Sequence, residues 1–324
     1  MTCSASACGD NPPMDDRTPL LIDTDPGVDD ALALLMAFNA PDHHVVGLTV
    51  TAGNVGLQHT TANALKLVEV CGLDVPVFAG ADAPLLHPAR DAGYVHGRDG
   101  FGDTAYAPAT RQPEGEHAAL AILRLSHAYA GRLLLVALGP LTNIALALKL
   151  DPTLPQRVGR FVVMGGAVSA HGNITPAAEF NIAFDPEAAH LVFAAFPRFE
   201  LVDWEATVAH GFAHSEAEQW LACGSVRAVF YERISRQTRL WSEDSRGEYW
   251  YAADALAMAF ALQPDGAQRL EQRPVHIELS GTHTRGMTLV DWNRQGGAAD
   301  NATLLLDYDR QRFYGLVGQA LAAG

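Results

Sequence analysis

PLLIDTDPGVDDALALLMAFNA, from Pro19 to Ala40, passes from a short apolar run through an acidic turn into a long apolar-periodic segment. A brief apolar run that halts at turn formers reads as a buried strand, and a longer run at helical period reads as a helix. The stretch is therefore strand, loop, helix. The same plan returns downstream. HVVGLTVT (His44 to Thr51) leads through AGNVG into HTTANALKLVEVCG, and VPVFAG adds a short third strand. After a Gly-, Pro- and Asp-rich stretch from Ala81 to Gln112, a helix over His117 to Ala130 precedes LLLVALGP, whose continuous apolar character fits a strand covered on both faces. LTNIALALK, RFVVMGG, DPEAAHLVFAAF and RFELVDW continue the alternation.

Parallel neighbours need helical crossovers, so this order predicts a mostly parallel, doubly wound α/β sheet with helices on both faces. Beyond Thr207 the pattern turns helical through Asp254 to Leu262. It ends in shorter strand candidates (VHIEL, MTLVDW, TLLLDY) and a last helix, expected to form an appended C-terminal α/β layer. The expected organisation is one large domain over residues 18–324, preceded by a disordered tail at residues 1–17.

The 324 residues carry a formal net charge of -15, which offers no attractive field to nucleic acid or to an anionic membrane. A small, largely uncharged partner is expected instead. The four cysteines, Cys3, Cys8, Cys71 and Cys223, form no C-x-x-C pair, and the N-terminus lacks the charged start and apolar core of a secretory signal. Both points favour the cytoplasm. There is no P-loop, H-E-x-x-H or G-x-S-x-G, which sets aside triphosphatase, zincin and serine hydrolase chemistry. A D-x-D-x-T phosphatase loop is set aside too, because Gly27 stands at its fifth position.

Asp23, Asp25, Asp29 and Asp30 put four carboxylates where a buried strand ends and a helix begins. Such crowding raises each group's pKa unless a cation relieves it, and a hard ion such as Ca²⁺ or Mg²⁺ suits an all-oxygen set. Helix capping and the helix dipole account for one or two of the four on their own. In a parallel sheet the loops after each strand share one rim, and here they carry Asn54, His96, Arg98, Asp99, the GPLTN turn, Asn173, Glu179 and Asn181. Amide and carboxylate side chains suit the adjacent hydroxyls of a sugar, and each residue taken singly also serves as a turn former or surface group. Asp254 either opens its helix as a cap or closes a metal site from across the cleft.

Together DTDPGVDDALAL, TAGN, VHGRDGFG, LGPLTNIALAL, MGGAVSAHGNITPAAEFNIAFDPEAAH, ADALAMA and GMTLVDW resemble the inosine-uridine-preferring nucleoside hydrolase family from Leu20 to near the C-terminus. The resemblance implies Ca²⁺-dependent hydrolysis of a ribonucleoside to ribose and free base, with Asp25 taking the proton of a water that the ion holds. It implies Asp25, Asp30, the Leu138 carbonyl and Asp254 as metal ligands. Asp29, Asn54, Asn173, Glu179 and Asn181 would hold the ribose, Met164 would line the sugar pocket, and His96 would contact the base. Trp241, Trp250 and Tyr251 are available for stacking, with core packing the expected role of the last two. A homodimer or homotetramer is the implied assembly. One position departs from the pattern: many members place a base-protonating histidine just before the late metal aspartate, and here that position is Ala253. A nucleoside- or ribose-binding protein with weak or lost catalysis is therefore the second reading.

Overall fold

The computed structural model describes residues 16–169 and 171–323. Most of the expected tail, with Cys3 and Cys8, lies outside the described residues. The first half follows the strand-helix plan: β1 (Thr18–Thr24), α1 (Val28–Phe38), β2 (His43–Val50), α2 (Leu57–Val70) and β3 (Val77–Ala79). Then come α3 (Gly93–His96), α4 (Ala118–Ala128), β4 (Leu133–Ala137), α5 (Thr142–Leu150) and β5 (Val158–Met164). The chain continues through α6 (Phe180–Phe184), α7 (Pro186–Ala195), β6 (Phe199–Val202), α8 (Trp204–Ala209), β7 (Phe212–Ala213) and α9 (His214–Leu221). It closes with α10 (Val226–Arg246), β8 (Tyr249–Trp250), α11 (Ala253–Leu262), β9 (Ala267–Arg273), β10 (Val275–Ile277), β11 (Thr288–Val290), β12 (Ala302–Tyr308) and α12 (Arg310–Ala322).

Eight strands form the main sheet in the order β3-β2-β1-β4-β5-β6-β12-β9. Every neighbouring pair is parallel except β12 and β9. The expected C-terminal layer divides in two. TLLLDY joins the main sheet as β12 beside β6, while β10 and β11 pair only with each other, antiparallel. β9, AQRLEQR, carries no apolar run and was not expected. It is an edge strand with no fully buried residue.

Side chains alternate across β1, so Leu20 and Ile22 pack into one core layer and Leu21 into the other. The first layer is filled from α1, α2, α10, α11 and α12, the second from α4, α5 and α7. All ten residues of α11 are buried, so its apolar character runs round the whole helix and its single carboxylate, Asp254, is carried into the interior. Strand order reverses between β1 and β4. In open α/β sheets the crevice outside the carboxyl ends of the strands at that reversal is where ligands bind.

Candidate active site

Asp25 stands immediately past the end of β1, at the reversal point. Its Oδ2 accepts the Asn54 backbone N–H at 2.7 Å, and its Oδ1 is buried without a hydrogen-bond partner. The carboxylate is gripped by two backbone approaches. A Cβ at Gly53 would lie 2.0 Å from Asp25 Oδ2, and one at Gly139 would lie 2.3 Å from Oδ1. This is the physical reason for glycine in the TAGN and LGP turns: only a bare backbone fits against the acid.

Asp30 is fixed as firmly. Its Oδ1 accepts Thr24 Oγ1 at 2.5 Å, and its Oδ2 accepts Gly27 N–H at 3.0 Å and Asn54 Nδ2 at 2.9 Å. Asn54 thus binds the two acids at once, with its backbone on one and its amide on the other. Asn63 Nδ2 donates to the Pro26 carbonyl at 2.8 Å and holds the turn from behind. Asp23, the first acid of the motif, turns away from the rim. It is buried and accepts Thr49 Oγ1 at 2.7 Å and Asn143 Nδ2 at 2.9 Å, so it ties β1 to β2 and α5. Thr49 and Asn143 were not singled out from the sequence; the signal available was the polar residue inside each otherwise apolar segment.

One carboxylate oxygen from each of Asp29, Asp30 and Asp254 lies within 4.8 Å of the others. This group contains Asp29 where the expected ligand set has Asp25. Asp254 is in the first turn of α11, whose N-cap position is Ala252, so it is not the N-cap residue. Burial raises the pKa of Asp254 well above the carboxylate range, and the charges of Asp30, Asp29 and Asp25 add to it. Burial and then the Asp30 charge raise Asp25, burial and then the Asp29 charge raise Asp30, and burial lifts Asp29 to about 6. The four acids are thus short of compensating charge in the bare protein.

Asp29, Asn54, His96, Leu138, Met164, Asn173, Glu179, Asn181 and Asp254 all line one cleft, while Asp25 and Asp30 are buried beneath its floor. Glu179 caps α6, accepting Asn181 N–H at 2.9 Å and Ile182 N–H at 3.2 Å, and it also takes Gly166 N–H at 2.9 Å. Burial pushes its pKa to about 7. Asn181 Nδ2 donates to the Leu138 carbonyl at 2.6 Å, and Asn173 Oδ1 accepts Phe180 N–H at 2.8 Å. His96 Nδ1 accepts Val28 N–H at 3.2 Å, and burial lowers the ring's pKa to about 4, so the imidazole is neutral. Its loop neighbours stay outside the cleft. Arg98 is exposed and pairs with Asp103, and Asp99 accepts Phe101 and Asp103 N–H within its own turn.

The far wall comes from α8, α10 and the segment that follows: Trp204, Trp241, Arg246, Trp250, Tyr251 and Ala253. Trp250 is buried against Phe212 and Tyr231 as well as reaching the cleft, whereas Tyr251 packs edge-on to Trp204. Trp204 and Arg246 were not foreseen, because a residue at a helix end carries no local mark of the cavity it faces.

A family model described as inosine-uridine preferring nucleoside hydrolase matches residues 20–315. The chain belongs to that family. A uridine nucleosidase of Arabidopsis thaliana is 36% identical over 282 residues, 85% of this chain and 83% of that protein. An inosine-uridine preferring nucleoside hydrolase of Leishmania major is 34% identical over 307 residues, 93% of this chain and 96% of that one. Among solved structures, an inosine-guanosine nucleoside hydrolase superposes with a TM-score of 0.89 at 31% identity, covering 96% of this chain and 100% of that one. The acid-lined cleft lies at the strand reversal of this nucleoside hydrolase. Among the described residues, no helix of this nucleoside hydrolase is long and apolar enough to cross a membrane.

Proposed function

We propose that this nucleoside hydrolase cleaves the N-glycosidic bond of ribonucleosides to ribose and free base, with Ca²⁺ as cofactor and Asp25 as the base that takes a proton from the attacking water. The observation that carries the reading is the gathering of Asp25, Asp29, Asp30 and Asp254 at one strand reversal, each with a raised pKa. The donors fit a hard cation: they are all oxygens, three lie within 4.8 Å of one another, and Asp25 Oδ1 is a buried acceptor without a donor. Asp25, Asp30, Asp254 and the Leu138 carbonyl would hold it, with Asp29 close by. Bound there, Ca²⁺ supplies the positive charge that keeps the carboxylates ionised and acidifies nearby water.

The chain's own groups do the rest. Asp25, fixed by Asn54 and squeezed between Gly53 and Gly139, is held in one orientation as a proton acceptor. Asp29, Asn54, Asn173, Glu179 and Asn181 present the carboxylates and amides that ribose hydroxyls need, and Met164 lies against the sugar face. Breaking the C1′–N bond builds positive charge on the ribose, and a cavity rich in carboxylates stabilises that charge more than it stabilises the neutral substrate. Assembly as a homodimer or homotetramer in the cytoplasm belongs to the same proposal.

Incubation of a panel of purine and pyrimidine nucleosides with Ca²⁺, and in parallel with a chelator, tests it through the release of reducing sugar. Ribose appears only in the Ca²⁺ arm. Tight nucleoside binding with no ribose in either arm would instead support a binding protein, the reading that Ala253 favours.

A further inference from the structure

Arg246 is the last residue of α10, and among the described residues it is the only lysine or arginine that lines the cleft. Three aromatic side chains hold it: its guanidinium carbon lies 4.8 Å from the Trp241 ring centroid, 4.9 Å from that of Trp204 and 6.0 Å from that of Tyr251. Stacking occupies the faces of a guanidinium and leaves its N–H edge available. Among the described residues Arg246 forms no hydrogen bond or ion pair, whereas Asn54, Asn173, Glu179 and Asn181 are each tied to backbone. A cation with unused donors stands across the cleft from the acids, on the wall that also carries Ala253.

We propose that Arg246 contacts the nucleobase and stabilises the negative charge the base acquires as it departs, which makes 6-oxopurine nucleosides the preferred substrates. The inference rests on the hydrolase reading above. Water oxygen bonds to C1′, the C1′–N bond breaks, and its electron pair goes to the base. The water's proton passes to Asp25. The base leaves as an anion hydrogen-bonded to Arg246 and takes its proton from solvent. Arg246 gives up no proton, because a guanidinium does not ionise at accessible pH, so its contribution is electrostatic rather than acid catalysis. The one-methyl side chain of Ala253 supplies no donor of its own. The fork of a guanidinium matches two adjacent acceptors, and a 6-oxopurine offers O6 and N7 side by side. Adenine presents an amino donor beside N7 and meets the fork donor to donor.

Arg246→Met and Arg246→Lys are compared with the parent on inosine, adenosine and p-nitrophenyl β-ribofuranoside, whose leaving group needs no help. In Arg246→Met the ratio of nitrophenyl riboside turnover to inosine turnover rises roughly 10²–10³-fold, the loss typical of one removed transition-state donor. The preference for inosine over adenosine collapses, and Arg246→Lys recovers part of the inosine rate. A variant that loses activity equally on all three substrates, or on none, overturns the proposal. A parent enzyme that releases neither ribose nor nitrophenolate overturns the hydrolase reading itself, and this inference with it.

Discussion

The floor and the far wall of the cleft are built on opposite plans. On the floor, Asp25, Asp30, Asn54, Glu179 and Asn181 are each fixed by one or more hydrogen bonds to backbone or to one another, on loops and helix starts that follow β1, β2 and β5. On the wall, Trp204, Trp241, Tyr251 and Arg246 meet through ring faces and cation–π contacts. Directional bonds fix a geometry to fractions of an ångström, as chemistry at C1′ requires. Stacking surfaces accept planar groups of several shapes. On the proposed reading, the difference separates where the bond is broken from which base is released.

The largest expected effect is at the floor. Asp25→Asn keeps the side chain's volume and removes the proton acceptor, so kcat falls by roughly 10²–10⁴-fold, the range for a positioned acid or base. Near-parental kcat in steady-state assays would take the base away from Asp25. Next is the cation. Calcium at one hundred times its dissociation constant adds about 2.7 kcal/mol of stability by mass action, so chelation lowers both the melting temperature and the activity. Calorimetry that shows no shift on complete chelation counts against the site.

On the wall, Trp241→Ala removes a stacking surface, and loss of base stacking costs about 1–3 kcal/mol, which appears as weaker nucleoside binding. Isothermal titration with a nucleoside in the Asp25→Asn background, where turnover is suppressed, measures it. An unchanged affinity would return Trp241 to a purely structural role.

The floor also predicts a pH dependence. Burial raises Glu179 from 4.5 and Asp23 from 3.8, each to about 7, so in the folded state they hold protons that the unfolded chain has already released. A raised carboxyl stabilises the fold fully below its unfolded pKa and loses that contribution as pH rises through the folded value. The chelated protein therefore melts at a lower temperature at pH 8 than at about pH 5, with most of the fall completed near 7. A melting temperature that rises over that interval is the contrary result. The smallest effect is at Arg98, which shares the His96 loop but is exposed. Arg98→Ala changes stability by less than about 0.5 kcal/mol and leaves kcat/KM at the parental value.

The two regions also differed in how well the sequence announced them. Floor residues sit in short loops where one chain segment supplies both the turn formers and the functional group, so DTDPGVDD and TAGN are legible by themselves. The parallel sheet was legible for the same reason, since LLLVAL and RFVVMGG are local patterns. Which acids face the cleft was not. Asp25 and Asp30 point into the floor and Asp29 toward the opening, a distinction set by how α1 leaves the turn. The wall was the least legible, because Trp204 and Arg246 meet only after α10 has crossed the molecule. β9 escaped notice because an edge strand needs no apolar alternation when its neighbour alone supplies its hydrogen bonds.

That edge has a consequence for how copies of the chain can associate. An unpaired strand edge is a template for joining a second sheet, and proteins blunt it with charge or cover. β9 carries Arg269, Glu271 and Arg273, which pair among themselves along the exposed border. At the opposite border β3 is three residues long, and the segment at Glu114 bridges it, donating Glu114 N–H to the Val77 carbonyl at 2.8 Å. Both borders thus carry features that disfavour strand addition, which turns quaternary contacts toward helices and loops.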